Sequence, residues 1–252
     1  MTTFGVGELS AINAVAGSFA ERVPVVCLTG SPSARLQEKQ LIVHHSLAHG
    51  AGFDVFLQMH SHITAGQSIL TADNAASEVE RLIQVCIRTS LPVYFAVPED
   101  VQTETVNGSR PARASAAESD EEALEQAVTL IAHWANAAQR PVILADVGVH
   151  RARAEAELLA LVEATNLPCA TMGMGRSVLA ETHPNHIGVY EGDHSFPAGV
   201  QHVLESSDCV IAVGANLTDF NTGGFTARLE ENRMIDIKIA VRSTCAHRDA
   251  PC

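Results

Sequence analysis

The chain has 252 residues, a formal net charge of −13, and 46% hydrophobic against 18% charged residues. That length bounds it to about two domains with a sizeable core, and that balance reads as globular and not disordered. The acidic surplus, with no basic run, excludes nucleic acid and an anionic membrane as partners, and no apolar stretch of about 18 residues marks a membrane span.

The first eleven residues set the pattern. Gly5 and Gly7 flank Val6, and Leu9, Ile12, Val15, Ala16 and Phe19 then recur at helical spacing. A glycine turn feeding a helix start is a place where a ligand can approach free backbone N–H groups; equally, such a turn can serve packing alone. No basic segment followed by an apolar one opens the chain, so no secretory leader is expected. Val23 to Gly30 reads as a buried strand, and the strand that should precede the first helix is expected before Thr2. Residues 31–62 are polar and loop-rich and carry His44, His45, His49, His60 and His62. Ala75 to Ile87 is predicted as a helix, with Asp73 or Asn74 as its cap, and Leu91 to Val97 as the next strand.

Residues 104–120 lack apolar periodicity and read as a linker between domains. The α/β rhythm then resumes. Helices are predicted at 121–136, 153–165 and 200–204, and strands at 140–147, 167–172 and 208–213, several of them ending at glycine. The first of these helices carries Leu124, Val128, Leu130 and Trp134 on its apolar side. This alternation predicts mainly parallel sheets covered on both faces, with ligands at the carboxyl ends of the strands. Residues 238–252 break the pattern and are expected to lie outside the fold's design.

Six cysteines stand at 27, 86, 169, 209, 245 and 252, with no pair at the two-residue gap of a zinc or redox motif. Reduced thiols and a cytoplasmic location are expected, with Cys27, Cys86, Cys169 and Cys209 acting as small core residues. The five histidines gather no carboxylate or cysteine into a metal set, so no metal ligand is assigned. His44-His45 fits acid/base work better, because imidazole titrates near neutrality, although surface histidines are the plainer reading. Gly192-Asp193-His194 lacks the partners of a Mg²⁺-diphosphate loop. Asp219-Phe-Asn-Thr-Gly-Gly224 reads as a structured loop or the edge of a cleft.

Taken in order, Thr2-Thr-Phe-Gly-Val-Gly-Glu-Leu-Ser-Ala11, Gly17 to Val25, His44-His45-Ser-Leu-Ala-His-Gly-Ala-Gly-Phe-Asp-Val-Phe56, Arg140 to Asp146, Gly188 to Gly192 and Asp219 to Gly223 resemble the pyruvate and indolepyruvate decarboxylase family of thiamine-diphosphate enzymes. The resemblance runs from about Thr2 to Ile237. It implies two three-layer α/β/α domains: a partial pyrimidine-binding domain (1–104) and a Rossmann-like central domain (122–237), joined by a linker (105–121) and followed by a non-family tail (238–252). It implies thiamine diphosphate and Mg²⁺ as cofactors, a small 2-oxo acid as substrate, an aldehyde and CO₂ as products, and a homo-oligomer, dimer or tetramer. Thr3, Gly5 and Val6 would lie against the cofactor's aminopyrimidine, and His44 and His45 would assist proton transfer. The family's cofactor-activating glutamate lies ahead of the motif at Thr2, and its Mg²⁺-diphosphate motif lies in a third domain that the resemblance does not reach. Inactivity of these residues alone is therefore expected, with a non-catalytic assembly or binding fragment that pairs with a homologous or separately encoded partner as the alternative. A nucleotide-binding module is disfavoured, because no Gly-x-Gly-x-x-Gly follows a strand of the second domain.

Overall fold

Every ladder between strands in the computed structural model, which describes residues 1–49, 52–106 and 120–239, is parallel. Parallel neighbours cannot be joined by tight turns, so the strands are linked by longer crossovers, most of them helical. The chain divides into two units, Met1–Glu118 and Ser119–Cys252.

The first unit runs β1 (Thr2–Thr3), α1 (Val6–Ala20), β2 (Val26–Ser31), α2 (Ala34–Glu38), α3 (Val55–His60), β3 (Gln67–Ile69), α4 (Ala75–Thr89) and β4 (Val93–Pro98). The sheet order is β1-β2-β4-β3. Strand β4 is central: it pairs with β2 from Val26↔Val93 to Ser31↔Pro98, and with β3 on its other side. Both of its faces are buried. Val93 and Phe95 pack with Leu70, Leu82 and Cys86, and Tyr94, of opposite pleat, is buried on the other face.

Several expectations need correction here. The strand ahead of α1 is Thr2–Thr3 itself and not a segment before Thr2. Strand β2 starts at Val26 and not Val23, because Pro24 offers no N–H to a ladder. The loop-rich stretch 31–62 contains α2 and α3. Asn74 holds the N-cap position of α4 without a side-chain capping bond; its amide instead binds Thr71 and Ile69. Cys27 is only half-buried, whereas Cys86, Cys169 and Cys209 are buried.

The second unit runs α5 (Glu121–Ala137), β5 (Pro141–Ala145), α6 (Gly148–Ala152), α7 (Glu155–Thr165), β6 (Cys169–Met172), β7 (His186–Tyr190), α8 (Gly199–Glu205), β8 (Cys209–Val213) and β9 (Met234–Ile237). The order is β7-β6-β5-β8-β9. Alternate residues of β5 feed separate cores: Val142 and Leu144 pack with Met172, Tyr190 and Leu204, and Ile143 and Ala145 with Val149, Leu158 and Val162. Helix α5 begins on Asp120, whose carboxylate accepts from the N–H groups of Glu122 and Ala123. Its Leu124, Val128, Leu130 and Trp134 are exposed within this unit, while Ala135 and Ala138 reach the core. Most of the expected linker and all but the first two residues of the expected tail lie outside the described residues.

The strand order reverses between β5 and β8, the point at which doubly wound sheets open a ligand crevice. Here the turns that follow the two strands touch. The Gly148 N–H donates to the Gly214 carbonyl at 3.1 Å, and a Cβ on Gly148 would stand 2.5 Å from Gly214 Cα. Only glycine permits that approach.

Candidate active site

The carboxyl end of β1 carries the expected cofactor-facing segment. Thr3 and Val6 are exposed, and Gly5 between them is buried. Gly5 adopts φ 73° at the mouth of α1, a left-handed conformation that suits glycine. Its N–H donates to Glu8 Oε1 at 2.8 Å. Glu8 stands in the first turn of α1, where a carboxylate both satisfies an orphan donor and is favoured by the helix dipole.

The histidine pair comes from the segment after α2. The Ser46 N–H donates to the Val43 carbonyl at 3.0 Å, and the Val43 N–H to Ser46 Oγ at 3.1 Å. His44 and His45 are the two middle residues of that turn. His45 has φ 73°, the conformation that the third residue of a type II turn requires. The two rings lie 3.9 Å apart, centroid to centroid, tilted by 44°. His44 is exposed and His45 half-buried, beside exposed Leu41, Ile42 and Leu47.

Gly5 and His45 meet. A Cβ on Gly5 would lie 2.8 Å from His45 Cβ and 3.3 Å from its carbonyl oxygen. Thus the structure brings together two elements about 40 residues apart in sequence, with Thr3 and Val6 on one side of the junction and the imidazole pair on the other. His49 and His62 are exposed, and no side-chain bond joins them to this junction. His60, expected among surface histidines, is buried: Nδ1 pairs with the Phe56 carbonyl at 2.8 Å, and the ring stacks on Tyr94 with centroids 4.6 Å apart.

Three buried residues that the sequence reading did not single out support the junction. The Tyr94 hydroxyl donates to Glu8 Oε2 at 2.6 Å. Burial, with Glu8 beside it, pushes the Tyr94 hydroxyl's pKa well up, which keeps it a donor. Phe56 packs edge-on against Phe4 at 5.0 Å and lies beneath Gly5. Glu8 and His60 are among the residues that line a cavity of about 340 Å³ between α1 and β2, together with Ala11, Val15, Val26 and Leu28. A glutamate three residues after a glycine turn was a readable cap signal; its long-range partner Tyr94 was not.

In the second unit, the Asp219–Gly223 stretch is tied inward. Asn221 donates to Asp146 Oδ2 at 2.8 Å and to the Asn216 carbonyl at 2.9 Å, and accepts from the Met174 N–H at 3.3 Å. Gly192-Asp193-His194 is likewise a turn locked to Thr226, whose Oγ1 accepts from the Asp193 N–H.

Among the described residues, no three His, Cys, Asp or Glu side chains are gathered as a metal ion would need, and no helix is long and apolar enough to cross a membrane. These features define a parallel α/β protein with a polar, histidine-bearing junction at the carboxyl edge of its first sheet. The family described as "Thiamine pyrophosphate enzyme, central domain" matches residues 124–250, half of the chain, and the chain belongs to the thiamine pyrophosphate enzymes. It is 39% identical over 240 residues to a pyruvate decarboxylase of Aspergillus fumigatus, and 40% to one of Kluyveromyces lactis. Identity to pyruvate decarboxylase isozyme 2 of Saccharomyces cerevisiae is 37%. Each match covers 94% of this chain and 42% of the relative, so the chain spans less than half the length of these relatives.

Proposed function

We propose that the chain supplies part of the active site of a thiamine-diphosphate- and Mg²⁺-dependent 2-oxo acid decarboxylase, which converts a 2-oxo acid to an aldehyde and CO₂. The observation that carries this reading is the junction of Gly5 with the paired rings of His44 and His45. Bound thiamine diphosphate supplies the electron sink for decarboxylation. The exposed Val6 side chain and Thr3, flanking the positive-φ Gly5, suit the flat face of an aminopyrimidine. The described residues gather no donor set for Mg²⁺, and no step is assigned to the metal here. Each imidazole can take a proton at one ring nitrogen and give one at the other. Leu41, Ile42 and Leu47 would exclude water around that exchange.

In this reading, residues 1–104 form the pyrimidine side and the central domain starts at about 122; the family match to residue 250 carries that domain past the boundary expected at 237. The enzyme is cytoplasmic and works as a homo-oligomer, dimer or tetramer, and the 252 residues alone do not turn over. A graft of residues 1–237 into the matching stretch of a pyruvate decarboxylase, with both cofactors, tests the reading. The graft should release CO₂ and aldehyde from pyruvate, phenylpyruvate or indolepyruvate. His44→Ala and His45→Ala should each lower turnover about 100-fold. A graft indifferent to both substitutions sinks the histidine role, and turnover by the isolated chain sinks the claim of inactivity.

A further inference from the structure

Glu8 is buried to 1% exposure, and both of its carboxylate oxygens are engaged, one by the Gly5 N–H and the other by the Tyr94 hydroxyl. A buried carboxylate that loses a partner is costly, so this arrangement has few alternatives. Gly5, which donates that bond, sits at φ 73° with no room for a side chain against His45, itself at φ 73°. Two left-handed residues in contact are both over-determined by what surrounds them. On Gly5 that restraint is Glu8; on His45 it is the Val43–Ser46 turn and Gly5 itself.

We propose that Glu8 is a positioning residue for the histidine pair. Its carboxylate fixes Gly5, Gly5 sets the seat of His45, and Tyr94 fixes Glu8. His60, stacked on Tyr94 with Nδ1 held by the Phe56 carbonyl, backs the same line from α3. The relay runs from α3 and β4 through the first turn of α1 to the turn that carries His44 and His45. Glu8 touches neither imidazole by a hydrogen bond, so its effect passes through backbone placement and not through a proton.

The role of this relay in turnover rests on the decarboxylase reading, but the relay is testable without it. In the isolated 252-residue chain, free of cofactor, the Gly5 amide and the ring signals of His44 and His45 can be followed by NMR across pH. Glu8→Ala should speed Gly5 amide exchange by on the order of tenfold. It should also move the His45 ring signals, which the contact of Gly5 with His45 places under the same restraint. Glu8→Gln, which keeps an acceptor oxygen for Gly5, should restore most of both. Tyr94→Phe, which keeps the ring and removes only the hydroxyl, should shift the same signals in the same direction by less, and it serves where Glu8→Ala does not fold. Parent-like Gly5 and His45 signals in Glu8→Ala, or in Tyr94→Phe where Glu8→Ala is unfolded, overturn the proposal even if the unfolding midpoint falls. If the relay holds while the graft ignores His44→Ala and His45→Ala, it is the decarboxylase reading that fails.

Discussion

Gly5 and His45, 40 positions apart, share one point of contact: a methyl group on Gly5 would stand 2.8 Å from His45 Cβ. Gly5→Ala meets two penalties there, a left-handed conformation and a collision with its neighbour. A cost of about 1–3 kcal/mol is expected, read as a lowered urea midpoint for the first unit. Within the folded state, the His45 ring signals should also move. A variant as stable as the parent would show that the contact yields freely.

Asn221 is the donor that neutralises the demand of buried Asp146 from the Asp219–Gly223 loop. Asn221→Ala should destabilise the second unit by on the order of 2–3 kcal/mol. Asn221→Asp should be worse, because it sets two carboxylates against each other in a site closed to water. Equal stability of the two variants would remove charge from the explanation.

Asp208 joins the start of β5 to the start of β8 by accepting from the N–H groups of Gln139 and Arg140 at 2.8 Å each. Those bonds, Gln139 first, hold its carboxyl below the ordinary value of 3.8. A lowered folded value means that the unfolded state binds the proton more readily. The stabilisation is therefore fully present above about pH 4 and is lost as pH falls through the folded value. Asp208→Asn should lower the thermal midpoint at pH 7, and the gap to the parent should close toward pH 2–3. A gap of constant size over that range contradicts the assignment.

Burial pushes the Cys169 thiol up to about 12. At pH 8 roughly one molecule in ten thousand carries the reactive thiolate there. Mass-mapped alkylation of the native chain should modify half-buried Cys27 ahead of Cys169, and denaturant should abolish the order. Early labelling of Cys169 would mean that the second sheet opens readily.

Much of this fold was legible because period and composition agree. Helices α1 and α4, and the apolar runs of β2, β4, β5, β6 and β8, stand out against the polar segments around them. Strands β3, β7 and β9 did not, since they are edge strands of three to five residues without an uninterrupted apolar run. Helices α2 and α3, five and six residues long, are too short to show a period. At the candidate site, Thr3, Gly5, Val6, His44 and His45 were marked by motif, but nothing in their spacing revealed that Gly5 and His45 touch. Glu8 looks like any acidic first-turn residue until Tyr94, 86 positions later, is placed opposite it. His60 shares its composition with its exposed neighbours and differs only in burial.

The central place of β4 also governs when the first unit can exist. Strand β2 is complete at Ser31, but its partner on that side is completed only at Pro98, and among the described residues β3 pairs with β4 alone. During synthesis the chain must therefore carry β1, β2 and β3 without a finished sheet until residue 98 has cleared the ribosome. Glu8 waits as long for Tyr94. The histidine turn is thus made early and seated last, by the strand that closes the sheet.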